Sequence, residues 1–93
     1  MINSFKCKET EKLFNLESTK RIPHQLQRMA LRKLLILDAA ETLEDLRSPP
    51  GNRLEALKGD RPGQYSIRIN VQYRIYFLWQ GIDAYEVEII DYH

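Results

Sequence analysis

The stretch "QYSIRINVQYRIYFLWQGIDAYEVEIIDYH", residues 64–93, decides the fold. Its first run alternates Tyr65, Ile67 and Ile69 with Ser66, Arg68 and Asn70. The second alternates Tyr73, Ile75, Phe77 and Trp79 with Arg74, Tyr76 and Leu78, and the third alternates Tyr85, Val87 and Ile89 with Glu86 and Glu88. A period of two is the mark of strands that bury one face. The links between the runs, "VQ" and "QGID", are short, which argues for antiparallel hairpins in a three-stranded meander.

Upstream the period changes. From about Pro23 to Thr42, Leu26, Ala30, Leu34 and Leu37 recur at intervals of three and four, with Met29, Ile36 and Ala40 widening the stripe. Gln27, Arg28, Arg32 and Lys33 fall largely on the other side, so the segment reads as an amphipathic helix. "LEDL" adds a turn before Pro49, Pro50 and Gly51 end it. "KETEKLFNLES" reads as a short helix of two or three turns, and "MINSFKC" as a first strand. The expected architecture is α+β, one domain over residues 1–93, in the order β-α-α-β-β-β. The two helices should pack on one face of a mainly antiparallel sheet and leave the other face partly open.

A chain of 93 residues with net charge +1 is near the lower end of what folds without staples. No apolar run approaches the roughly 20 residues that span a bilayer, and the start lacks the apolar core of a signal peptide. Cys7 is the only cysteine, which rules out an intrachain disulfide and suits a reducing cytoplasm. One cysteine and two histidines, His24 and His93, offer no metal-ligand spacing, so neither metal nor cofactor is expected.

The small net charge hides an uneven distribution. Residues 47–74 carry Arg47, Arg53, Lys58, Arg61, Arg68 and Arg74 against only Glu55 and Asp60, a local balance of +4, while residues 75–93 carry four acids and no Lys or Arg. Such a basic segment is the footprint of a polyanion site or a solvated loop. Arg68 and Arg74 lie on successive strands, and Lys58 stands before the turn that leads into them. Together the three could hold a phosphodiester; alternatively each arginine pairs with Glu86 or Glu88 across the sheet. Arg74 alternates with Tyr73 and Ile75, so it is expected off the core face and dispensable for folding. Tyr73, Phe77 and Trp79 share the core phase, which leaves Tyr76 and Tyr92 as the aromatic side chains suited to stacking on bases.

The run closes on Asp91, Tyr92 and His93. An imidazole with an ordinary pKa of about 6.5 suits proton transfer. Regular alternation puts Asp91 in phase with His93 and Tyr92 in the opposite phase. An imidazole beside a phosphate-binding face meets the needs of RNA cleavage by the neighbouring 2′-OH: a base for the hydroxyl, cations for the pentavalent phosphate and an acid for the leaving oxygen.

The stretches "LDAAETLEDLRSPPGNRLEALKGDRPGQYSIRINVQYRIYF" and "EIIDYH" resemble the HigB-type toxins of bacterial type II toxin–antitoxin modules, in the RelE/ParE superfamily and close to its GraT-like subgroup. The resemblance spans nearly the whole chain. It implies a ribosome-dependent endoribonuclease, an mRNA interferase, that cuts translated mRNA. It also implies a helix-turn-helix antitoxin of the HigA type, which neutralises the toxin and reaches operator DNA on its behalf. The family's terminal Asp-Tyr-His carries over to Asp91, Tyr92 and His93, its basic residue before "GD" to Lys58, and its strand arginine to Arg74. On this reading Arg68 joins Lys58 and Arg74 on the scissile phosphate, Arg53 and Arg61 steer the RNA, and Tyr76 offers a stacking surface. One departure stands out: some relatives have an active-site histidine where this chain has Glu55, which puts the rate in doubt rather than the reaction. Two rivals remain, a ParE-like gyrase poison and a weakly catalytic homologue acting mainly in an antitoxin–operator repressor complex. The terminal Asp-Tyr-His argues against the first. If the resemblance holds, the last strand stops at His93 because the active site is there.

Overall fold

A computed structural model describes residues 1–57 and 62–91. Lys58 and Arg61, and Tyr92 and His93, lie outside the described residues. Two helices, α1 (Lys8–Phe14) and α2 (His24–Ala39), precede a four-stranded sheet of β1 (Glu55–Ala56), β2 (Gln64–Arg68), β3 (Tyr73–Gln80) and β4 (Asp83–Asp91). The strands lie in the order β1-β2-β3-β4, and every neighbouring pair is antiparallel. The expected α+β class and meander are present. The β3–β4 turn is two residues long, and Gly81 adopts φ +64° there, a conformation that glycine takes without steric cost.

Strand alternation sorts the sheet into two faces. Tyr65, Ile67, Tyr73, Ile75, Phe77 and Trp79 point to the helices. Phe77 sits in an aromatic row, with Tyr65 stacked at 6.2 Å and Trp79 edge-on at 6.3 Å. Leu26, Ala30, Leu34 and Leu37 of α2 pack on this face with Leu13 of α1, Ala84 and Val87, and all are buried. Burying one such aliphatic or aromatic side chain stabilises the fold by roughly 1.5–3 kcal/mol. A bulge in the β3–β4 pairing between Tyr76 and Leu78 brings Glu86 to φ 55°, and its N–H donates to Ser4 Oγ at 2.9 Å.

Four details differ from the sequence-based expectation. The N-terminal segment makes only two isolated parallel bridges to β4, Ile2 to Ala84 and Phe5 to Val87, with the Ile2 N–H capped by Asp38 Oδ1 at 2.9 Å. The opposite edge gains β1, which is too short to show a period. Helix α2 ends at Ala39 rather than Thr42, because Asp45 Oδ2 accepts the N–H groups of Glu41 and Thr42 and competes with helical bonding. Met29, assigned to the buried stripe, is 46 % exposed, as the sheet is too narrow to cover that flank.

Candidate functional site

The open face of the sheet carries Ser66 and Arg68 from β2, Arg74 and Tyr76 from β3, Glu88 and Ile90 from β4, and Glu55 from β1. The register sets Arg74 directly opposite Arg68 on one side and Ile90 on the other, and Tyr76 opposite Ser66 and Glu88. Glu55 pairs with Ser66 in turn and is exposed. Like charges directly opposite on adjacent strands destabilise a sheet. Arg68 and Arg74 are such a pair, so their end of the face favours an anion, while Glu55 and Glu88 hold the face as a whole near neutrality.

Arg74 departs from the exposed cation that alternation suggests. It lies off the core face, as its phase requires, yet it is only 6 % exposed. Its Nε donates to Ser66 Oγ at 2.8 Å, and its Nη2 donates to the carbonyls of Arg53 at 2.7 Å and Ser66 at 3.3 Å. A buried guanidinium is tolerable only when its donors are met. The expectation that Arg74 is dispensable for folding is therefore corrected: removing it would strand buried acceptors. The anticipated pairing with the β4 acids is also not what Glu88 does, since it forms its ion pair with Lys6 at 3.4 Å.

The Arg53 carbonyl reaches Arg74 because of the loop before it. Pro49, Pro50 and Gly51 end the preceding turns, and Arg53 adopts a left-handed conformation at φ 44°, ψ 58°. Asn52 is fully buried and fixes the loop from within. Its Nδ2 donates to the carbonyls of Leu46 at 3.1 Å and Ser48 at 3.2 Å, and its Oδ1 accepts from Lys33 Nζ of α2. Burial, reinforced by neighbouring Arg32, lowers the pKa of Lys33 from its ordinary range. The Arg53 side chain is exposed and available to solvent or a polyanion.

Asp91 falls in the other phase. It pairs with Tyr73, accepts from Gln72 Nε2 at 3.2 Å, and lines a helix-side cavity of about 310 Å³ with Cys7, Thr10, Arg21 and Ile89. Arg68, Arg74 and Tyr76 are thus gathered on the open face, with the Arg53 backbone against Arg74 and Asp91 at the end of β4 on the covered side. Tyr76 is half-buried beside Gln64, Leu78 and Glu88. Sequence reasoning passed over Ser66 and the Arg53 carbonyl. Ser66 carried a signal, a small polar residue in phase with Arg68; the carbonyl carried none. Among the described residues no three His, Cys, Asp or Glu side chains stand close enough to share a metal ion. No helix among them is long and apolar enough to cross a membrane.

Two helices on one face of an antiparallel sheet, with two opposed arginines on the other, fit the RelE-like class of toxin domain. The family described as "RelE-like toxin of type II toxin-antitoxin system HigB" matches residues 3–93, and the chain belongs to it. The chain is 46 % identical over 80 residues to Toxin HigB-1 of Vibrio cholerae, covering 85 % of this chain and 84 % of that one. It is 36 % identical to Endoribonuclease HigB of Proteus vulgaris over 93 residues, the full length of both.

Proposed function

We propose that the protein is an mRNA interferase: a ribosome-dependent endoribonuclease that cuts translated mRNA and is neutralised by a HigA-type helix-turn-helix antitoxin, which also contacts operator DNA. The observation that carries this reading is the directly opposed pair Arg68 and Arg74 on the open face. Two cations in register match the two negative charges of the pentavalent phosphate rather than the single charge of the ground-state diester, and one of them is already fixed in place before substrate arrives. The name of the full-length Proteus vulgaris relative supports the same chemistry.

The reaction follows from the side chains. A base removes the 2′-OH proton, the 2′-oxygen bonds to phosphorus, and the bond from phosphorus to the 5′-oxygen breaks as an acid protonates that oxygen. The products are a 2′,3′-cyclic phosphate and a 5′-hydroxyl. Lys58, Arg68 and Arg74 hold the charge on the pentavalent phosphate, and His93 serves as general acid or base, with Asp91 sharing the proton transfer. Asp91 orients His93 and Tyr92 places the base or the 2′-OH. Arg53 and Arg61 steer the strand, and Tyr76 offers a ring to it. Six cations in residues 47–74 are too few to grip long RNA against salt unaided, which is why the ribosome must present the message.

Primer extension on mRNA from cells induced for the toxin tests the proposal. New 5′ ends within translated frames are expected, and they should vanish when translation initiation is blocked or the antitoxin is co-expressed. Intact mRNA during growth arrest would point instead to a DNA or repressor target.

A further inference from the structure

We propose that Ser66 is a positioning residue for RNA cleavage, which clamps the Nε/Nη2 edge of Arg74 and so fixes where its charge stands at the scissile phosphate. The inference rests on the role given to Arg74 above. A guanidinium carries five N–H donors. Ser66 Oγ takes the one on Nε, and the carbonyls of Ser66 and Arg53 take the two on Nη2. The clamp thus engages the whole Nε/Nη2 edge. Arg74 therefore cannot use the side-on Nε/Nη2 fork on a phosphate without breaking bonds to groups that are themselves buried. It works as a charge of fixed position.

Ser66 is suited to this task by its surroundings. It is 1 % exposed, so water does not compete for its hydroxyl. It sits on the strand next to Arg74, opposite Tyr76 in register, which sets it diagonal to the guanidinium. The second anchor, the Arg53 carbonyl, belongs to a loop held by buried Asn52. With both anchors in place, the guanidinium loses little further freedom when the phosphate arrives. With the hydroxyl gone, the head group keeps its charge but not its place.

The test uses the full chain and ribosomes programmed with a defined mRNA under single-turnover conditions. For Ser66→Ala, cleavage should slow by about 10- to 100-fold, the scale expected when a reacting group is misplaced by about 1 Å. The half-saturating ribosome concentration should stay within about twofold of wild type, because the charge that draws RNA remains. Ser66→Thr and Ser66→Val differ only in the hydroxyl, so Thr should cleave at least about tenfold faster than Val at matched melting temperatures. Equal rates for Thr and Val, or a Ser66→Ala enzyme within twofold of wild type, would overturn the proposal, and the Thr/Val pair decides it even if the alanine variant does not fold. Arg74→Lys separates the two layers. Wild-type cleavage by that variant removes Arg74 from the chemistry; a slow Arg74→Lys with equal Thr and Val rates leaves Arg74 in place and discards Ser66.

Discussion

The two faces of the sheet are built from alternate residues of the same strands, yet they are held together by different physics. On β3 the covered phase runs Tyr73, Ile75, Phe77 and Trp79, and the open phase Arg74, Tyr76, Leu78 and Gln80. Ile75 and Arg74 are neighbours and both are buried. Ile75 is stable there because leaving water is favourable for an aliphatic chain and demands no partner. Arg74 is stable there only because Ser66 and Arg53 meet its donors in defined directions. The covered face should tolerate changes that conserve volume, and the open face changes that conserve geometry.

The largest effect expected is on the proton-transfer group. The chain has two histidines, and only His93 lies in the second half, with the basic segment. His93→Ala should slow mRNA cleavage by about 100- to 10,000-fold, the range for loss of a general acid or base, with an unchanged melting curve. His24 is exposed at the start of α2, on the helix side, so His24→Ala should cleave like wild type. Single-turnover cleavage of both variants checks the pair. A His93→Ala protein that still arrests growth like wild type would take the tail out of the reaction.

Next comes the core. Phe77→Ala removes the ring between Tyr65 and Trp79 and should destabilise the protein by about 3–5 kcal/mol. Denaturant titration measures that loss. At a temperature where the variant remains folded, cleavage per folded molecule should be within a few-fold of wild type. A fully folded Phe77→Ala protein without activity would break the separation of the two faces.

Arg68→Ala sharpens the comparison because its two consequences have opposite signs. Removing one of two opposed cations should lower cleavage by about tenfold or more, by loss of charge at the phosphate. It should also raise stability by about 0.2–1 kcal/mol, by relief of repulsion across the β2–β3 pair. Cleavage rates and melting temperatures at low salt check both, and added salt should shrink the stability gain. A variant that is both slower and less stable would mean that Arg68 is structural.

The contrast also explains what was legible in the sequence. The helical stripe Leu26, Ala30, Leu34, Leu37 and the strand alternation from Tyr65 to Ile89 are local periodic signals, and they yielded both helices and the meander. The pair β1–β2 was not legible, since two residues carry no period. The burial of Arg74 was not legible either, because it depends on a loop residue, Arg53, 21 positions earlier. That loop closes over the open face only when Asn52 finds Leu46, Ser48 and Lys33. Alternation says which face a residue takes and nothing about what later covers it. The site was accordingly read as a set of charges, Lys58, Arg68, Arg74 and the closing Asp91, Tyr92 and His93. The neutral groups that fix one of those charges, Ser66 and a backbone carbonyl, are visible only once the loop and the sheet are brought together.

The smallest effect expected lies in the connection that leads to that loop. Asp45 Oδ2 accepts the backbone N–H groups of Glu41 at 3.0 Å and Thr42 at 3.1 Å. These bonds, the one from Glu41 foremost, hold its carboxyl below the ordinary value of 3.8, although partial desolvation acts the other way. A carboxyl whose pKa is lowered in the folded state binds its proton more weakly there than in the unfolded chain. Its contribution is therefore fully present above the unfolded value and is lost as the pH falls through the folded value. Asp45→Asn keeps the shape and removes the charge, so it should melt a few degrees lower than wild type at pH 7. The gap should narrow as the pH is taken below 3.8. Glu9, also held low by the Thr19 hydroxyl, titrates in both proteins and cancels in the difference. Cleavage at pH 7 should not change, because Asp45 touches neither Asn52 nor the clamp on Arg74. Thermal melts of the two proteins from pH 7 to pH 2 check the slope. A gap that stays constant across that range would show that the charge is immaterial and that only the hydrogen-bonded shape of the turn matters.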